Sequence, residues 1–293
     1  MADKQQSIFD TQLFGMTTII ECICGAMKSQ GSGFFYNDLA PGDPTKQGPQ
    51  WRQINGTWLV TNRHVAFPKL NDKEVVPDTF TFNLRKVGNN RIDWLPVTLS
   101  KEELLKRTKL HVNAIVDVVA IKIDDLMVEI IKANQGQGLV SPGSITSDNL
   151  PQNSPLQIDV TSDIVIASYP KGFYDKVNKF PIVKSGIVAS SWNSSFNGLP
   201  LFLVDSPLLP GSSGGVVLSK PVNIAVIDGK IMHNDTKQFV LLGVYSGEPV
   251  YTNKIQVDDL VIIQNKSFGL GNVWYSSLIP EIIMNGQTYQ IMQ

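Results

Sequence analysis

Ser213 stands in the run Pro210-Gly211-Ser212-Ser213-Gly214-Gly215-Val216-Val217, where small residues crowd around one hydroxyl. The glycines allow a sharp turn and close backbone approaches that a Cβ would forbid, so the turn can present Ser213 beside bare amides. In such a turn the N–H groups of Gly211 and Ser213 can converge near Ser213 Oγ, where a tetrahedral oxyanion would form. Pro210 has no N–H and cannot contribute. The same run also suits a plain turn between two strands, so the chemistry depends on what accompanies it.

A serine hydroxyl is a weak nucleophile until a base takes its proton, and the base needs a group behind it. The chain has three histidines. His64 follows the apolar run Trp58-Leu59-Val60-Thr61, where a rigid element holds it, whereas His111 and His233 lie among polar residues and read as surface groups. Asp117 opens Val118-Val119-Ala120-Ile121-Lys122-Ile123, and an acid at the head of so apolar a strand needs a partner to offset its desolvation. An imidazole N–H is a suitable one. Asp117 would hold His64 in the tautomer whose other nitrogen faces Ser213. Asp93, Asp159 and Asp205 are rival acids, each heading a less apolar stretch. The only cysteines, Cys22 and Cys24, sit two apart in a strand-like run, face the same side and read as buried free thiols. With no other cysteine and no histidine near them, no metal site and no cofactor is expected.

These side chains must be positioned by short strands. From Thr17 onward, β-branched and aromatic runs alternate with Gly, Pro and Asn clusters. Strands are predicted at Thr17–Met27, Gly33–Tyr36, Trp58–Thr61, Thr79–Leu84, Ile92–Leu99, Val118–Ile123, Val165–Ser168, Ile182–Ala189, Leu201–Asp205, Gly215–Leu218, Val222–Ile227, Phe239–Tyr245 and Gly271–Tyr275. Helices are peripheral: one after the S-x-x-E box Ser100–Glu103, one from Asp124/Asp125, and one near Leu278–Met284. Three stretches read as loops, Asn37–Asn55, Asn134–Pro155 and Asn253–Leu270, the last able to hold a hairpin.

In order, Gly31-Ser32-Gly33-Phe34-Phe35, Leu59-Val60-Thr61-Asn62-Arg63-His64-Val65, Asp117-Val118-Val119-Ala120-Ile121, Ser168-Tyr169-Pro170-Lys171-Gly172, Ser185-Gly186-Ile187-Val188-Ala189 and Asp205 through Gly215 resemble the motifs of chymotrypsin-fold (trypsin-like) serine proteases. They are most similar to the bacterial HtrA/Deg-like branch, here without a PDZ-like region. The resemblance implies an all-β fold of two six-stranded antiparallel β-barrels with a short C-terminal helix. Residues 1–155 would supply His64 and Asp117, and residues 156–293 the nucleophile Ser213 and the closing helix. It also implies an oxyanion hole from Gly211 and Ser213, and a substrate-binding wall at Leu208 and Leu209, opposed by Tyr245, Ser246 and Gly247. Ser206-Pro207-Leu208-Leu209 carries no acid, so an apolar side chain is expected before the scissile bond. The family's usual Asn or Asp before the nucleophile is Ser212 here, and a neutral hydroxyl cannot hold a buried ammonium.

The 293 residues suit two small domains or one large all-β unit. With 25 Lys+Arg against 26 Asp+Glu, nothing steers the chain toward nucleic acid or an anionic membrane. No secretion signal or transmembrane span is read, and free thiols fit a reducing cytoplasm. The expected function is a serine endopeptidase acting on protein or peptide through an acyl-enzyme. The alternatives are a partner-activated effector protease of a bacterial assembly, with a regulatory protein partner, and a non-catalytic binding module on the same fold.

Overall fold

The alternating runs form strands because successive residues find apolar surface on opposite faces. The computed structural model describes residues 8–42, 51–88, 91–134, 139–140, 145–171, 173–257 and 260–289. In the N-terminal half, strand Met27–Leu39 lies between Thr17–Cys24 and Ile54–Thr61. Thr79–Gly88 and Arg91–Ser100 extend the sheet on one side, and Val119–Lys122 and Thr108–Leu110 on the other. Phe35 and Leu59 point into this half's own core with Ile20, Phe80, Phe82 and Ile121. Their neighbours Phe34, Tyr36 and Val60 point the other way, into a second core shared with Ala167, Val216 and Leu218. A strand buried on both faces holds its register tightly, since a one-residue slip would exchange the two sets.

The C-terminal half is a closed barrel of six strands, Asp163–Ser168, Ile182–Val188, Leu201–Asp205, Leu270–Tyr275, Leu241–Gly247 and Val216–Ser219. Ile164, Ile166, Phe202, Val204, Val217, Leu242 and Val273 fill it. The all-β architecture of two barrel-like halves is therefore as expected, with one refinement. The first half is a curled sheet whose core is completed by helices, through Leu104 of Lys101–Arg107 and Met127 of Asp124–Ala133.

The capping box is present: Glu103 N–H donates to Ser100 Oγ at 3.3 Å and Ser100 N–H to Glu103 Oε2 at 2.9 Å. The closing helix, Leu278–Asn285, packs Leu278, Ile279 and Ile282 into the shared core beside Val116, Val118 and Ala120 of the N-terminal half. His111 fastens it. Nδ1 accepts from Asn113 N–H, which leaves the proton on Nε2 to be donated to Glu281 at 2.9 Å. His111 is thus a structural tie and not simply a surface group.

The N-terminal helix departs from the sequence reading. Helix Ile8–Met16 precedes Thr17, where the predicted elements begin. Its Phe14 ring stacks on Phe180 at 3.9 Å, and its Phe14 carbonyl accepts from Arg85 Nε at 2.6 Å. Arg85 is buried and pairs with no carboxylate among the described residues; it also holds the Lys179 carbonyl and the Tyr169 hydroxyl and lies 4.4 Å from the Trp94 ring. Burial pulls its guanidinium below the ordinary arginine range. Asn253–Leu270, read as a loop able to hold a hairpin, is largely an antiparallel hairpin of Val250–Val257 and Leu260–Ser267. Residues 43–50, 135–138 and 141–144 of the other two loops lie outside the described residues, as does Gly172.

Cys22 and Cys24 are free. Cys22 is buried, its Sγ donates to the Val65 carbonyl at 3.3 Å, and burial pushes its thiol up to about 12. Since the thiolate is the reactive species, iodoacetamide at pH 8 should modify Cys24 of the folded protein well before Cys22, and both equally in denaturant. Peptide mass mapping reads the order, and equal modification of the two in folded protein would contradict the burial of Cys22. Among the described residues no helix is long and apolar enough to cross a membrane.

Candidate active site

The pairing Thr61↔Val119 brings the segment after Ile54–Thr61 beside the one that precedes Val119–Lys122. Asn62 Nδ2 donates to the Asp117 carbonyl at 2.7 Å, and the four-residue helix Arg63–Ala66 then carries His64 over the Asp117 side chain. Asp117 Oδ1 accepts the His64 backbone N–H at 2.9 Å, and Oδ2 lies 2.6 Å from His64 Nδ1. Because a carboxylate only accepts, this contact assigns the ring proton to Nδ1 and leaves Nε2 as an acceptor. Oδ2 also accepts the Ser246 hydroxyl at 2.7 Å. Three donors converge on one carboxylate, which offsets the cost of taking it partly out of water.

The turn before Val216–Ser219 is held from both halves of the molecule. Gly211 and Gly214 have φ of 91° and 82°. A Cβ on Gly214 would collide with the Ser32 carbonyl and Thr61 Oγ1, and one on Gly211 with the backbone of Lys171. Ser32 N–H donates to the Ser213 carbonyl at 2.8 Å, and Ser32 Oγ accepts from Tyr169 N–H and donates to the Gly211 carbonyl at 3.0 Å. Lys171 N–H holds the Pro210 carbonyl at 2.8 Å. In a trans peptide the C=O and N–H point in opposite directions, so this bond also fixes where Gly211 N–H points. Among the described residues, neither Gly211 N–H nor Ser213 N–H has a protein acceptor, as a site for a developing oxyanion requires.

Gly214→Ala should therefore cost about 1–3 kcal/mol through its left-handed φ alone, with the collision adding to it. A urea titration checks this, and an unchanged midpoint would contradict the packing of Ser32 on Gly214.

Ser213 Oγ donates to the Ser246 carbonyl at 3.0 Å. Ser213, Ser246, Asp117 and His64 are thus linked in series, and the Ser213 proton rests on Ser246 and not on His64. Tyr245 is buried, with burial raising its phenol, and the end of its strand touches the turn through Gly214 N–H to the Tyr245 carbonyl at 2.8 Å. Leu208 and Leu209 separate: Leu208 is 7% exposed and packs into the barrel core, whereas Leu209 is 60% exposed. Gly247, with φ of 147°, ends the strand Leu241–Gly247. Ser212 is fully buried and its Oγ has no partner among the described residues. Of the rival acids, Asp205 is exposed at the end of Leu201–Asp205, and neither it nor Asp159 bonds to a histidine among the described residues.

Three contributions escaped the sequence reading. Ser246, expected on the substrate-binding wall, donates its hydroxyl to Asp117. Ser32 and Lys171, inside segments singled out as motifs, act by hydrogen bonds that no spacing rule announces. Glu248 lies outside every motif named above, and its Oε1 accepts from Leu208 N–H at 3.0 Å. Beside His64, a cleft of ≈ 650 Å³ is lined by Arg63, Phe67, Lys69, Glu74, Ala114 and Asp117.

A profile of the trypsin-like peptidase domain matches residues 31–222. Among solved structures, the serine endoprotease from Yersinia pestis is 14% identical at a TM-score of 0.42, over 93% of this chain and 63% of that one. The chain thus spans less than two thirds of that protein's length. Protease Anisep from Arthrobacter nicotinovorans is 13% identical at a TM-score of 0.49, over 92% of this chain and 94% of that one. Tobacco etch virus protease complexed with product is 10% identical at a TM-score of 0.46, over 94% and 81%. No curated protein matches by sequence.

Proposed function

The chain belongs to the trypsin-like peptidase domain family, and from that premise we propose that it is a serine endopeptidase working through an acyl-enzyme. Ser213 Oγ would attack a peptide carbonyl while His64 Nε2 takes its proton. Asp117 would keep the Nδ1 proton in place and stabilise the imidazolium. The N–H groups of Gly211 and Ser213 would receive the oxyanion, and His64 would return the proton to the leaving amine. Water, activated by the same imidazole, would then release the acyl group. The observation that carries this reading is the Asp117 carboxylate. It fixes the His64 tautomer at 2.6 Å and is tied through Ser246 to the hydroxyl of Ser213.

The finer reading is an HtrA/Deg-like bacterial peptidase acting on protein or peptide substrates, with residues 1–155 and 156–293 as its two halves and Leu208, Leu209, Tyr245, Ser246 and Gly247 along the substrate. The quoted motifs support the branch, and two free thiols support a reducing, cytoplasmic setting. One observation favours a partner-activated form: the Ser213 hydroxyl must turn from the Ser246 carbonyl toward His64 before attack. A fluorophosphonate probe tests the reading. A single adduct on Ser213 of the intact chain, absent from His64→Ala, is the expected mass-spectrometric result. An adduct that forms only with an added cellular protein selects the partner-activated form, and no adduct under either condition leaves a binding module.

A further inference from the structure

A permanent cation stands directly beside the base: Arg63 precedes His64 in the helix Arg63–Ala66. A few residues on, Asn71 and Asp72, with φ of 52° and 60°, make a left-handed two-residue turn that pairs Lys69 with Glu74. This small hairpin returns Glu74 to the helix. Glu74 Oε2 accepts from Arg63 Nε at 2.7 Å and Oε1 from Nη2 at 2.9 Å, the two-pronged geometry in which a guanidinium holds a carboxylate best. Tyr289, which follows the strand Gln287–Thr288, donates its hydroxyl to Glu74 Oε1 at 2.9 Å, and its ring lies 4.3 Å from that of Phe67, just past the other end of the helix.

A second carboxylate lies within reach of the same cation. Arg63, His64, Glu74 and Asp117 line one cleft, and the Arg63 backbone N–H already meets the Asp117 carbonyl at 3.3 Å. Hydrogen bonding to Glu74 is the largest reason the Arg63 guanidinium lies above the ordinary arginine range, and the Asp117 charge is a lesser one. Asp117 holds three donors against about four lone-pair sites. Where the neutral imidazole offers it one N–H, a guanidinium offers two and a full charge.

Resting on the peptidase reading, we propose that Glu74 is a positioning residue: it anchors the Arg63 guanidinium away from Asp117 and so reserves that carboxylate for the His64 ring. An Arg63–Asp117 pair would take Oδ2 from His64 Nδ1. The ring would then be free to turn from Ser213, and the imidazolium formed during attack would lose its counter-charge. Glu74 acts only through Arg63, which is what distinguishes it from a residue that merely braces the helix.

The test is made on the full chain. Glu74→Gln should lower kcat by about 10–100-fold with KM nearly unchanged, and should remove the downfield NMR resonance of the His64 Nδ1 proton, which needs no turnover to be seen. Adding Arg63→Met should restore both, because the competing cation is gone. Tyr289→Phe keeps the Arg63–Glu74 pair, so it should lower the urea midpoint and leave kcat and the resonance as they were. Normal kcat and resonance in Glu74→Gln overturn the inference. A loss that Arg63→Met does not repair, or an equal loss in Tyr289→Phe, also overturns it, since a loosened helix would give either result. Fluorophosphonate labelling of Ser213 separates this failure from that of the peptidase reading. A labelled enzyme indifferent to Glu74 remains a peptidase without this restraint. An unlabelled protein whose His64 resonance is lost in Glu74→Gln and regained with Arg63→Met keeps the restraint and loses the peptidase reading.

Discussion

Ser213→Ala and His64→Ala are each expected to lower kcat on a peptide substrate by about 10⁴–10⁶, with the fold retained. Loss of the Ser213 hydroxyl removes one hydrogen bond, to the Ser246 carbonyl, worth about 0.5–1.5 kcal/mol. The His64 side chain is 41% exposed, and without it Asp117 still accepts the backbone N–H of residue 64 and the Ser246 hydroxyl, so its carboxylate is not stranded. Stability and turnover should therefore separate cleanly. The sharper outcome is the double variant. Nucleophile and base act as one unit, so removing both should cost no more than removing either. If the two losses multiply, the residues act independently and the assignment fails.

Much of the fold was legible because it rests on a period of two. Runs such as Trp58–Val60 and Val118–Ile121 are apolar at every position, and the structure buries both of their faces, one in the N-terminal core and one in the shared core. The contact of His64 with Asp117 was legible for the same reason: each residue flanks such a run, and the two runs are neighbours in the sheet. Helix Ile8–Met16 was not legible. Its amphipathic pattern is weak, and it is held by features distant in sequence, the Arg85 guanidinium and the Phe180 ring. The closing helix was legible as a helix, but its destination on the N-terminal half was not, since that depends on Val116, Val118 and Ala120 presenting a matching apolar surface.

The candidate site divides along similar lines. Residue types that can move a proton are few, and a short inventory isolates them. Backbone-directed contacts have no such signature. Lys171 contributes its N–H, for which its side-chain identity is immaterial, and Glu248 reaches Leu208 across 40 residues. The loop before Ser213 names Leu208, but not the carboxylate after Gly247 that holds the Leu208 N–H.

Asp117→Asn should lower kcat by about 10⁴, and the reason lies in how an amide can sit among the three donors around Asp117. The backbone N–H of His64 points at Oδ1 and cannot reverse, whereas the His64 ring proton and the Ser246 hydroxyl, both on Oδ2, can each be rearranged. Asparagine satisfies all three neighbours when its oxygen takes the Oδ1 position and its NH₂ the Oδ2 position. His64 Nδ1 must then accept, so the proton moves to Nε2, the nitrogen that has to receive the proton of Ser213. The variant would be well folded, with its base already occupied. Ser246→Ala removes one donor and leaves the tautomer intact, so its loss should be far smaller, and Asp205→Asn, exposed on the barrel, should change little. Burst-phase kinetics on an activated ester, with NMR of the His64 ring nitrogens to identify the tautomer, reads both consequences together. Near-normal turnover in Asp117→Asn, or an Nδ1–H tautomer in the inactive variant, would remove Asp117 from the role assigned to it.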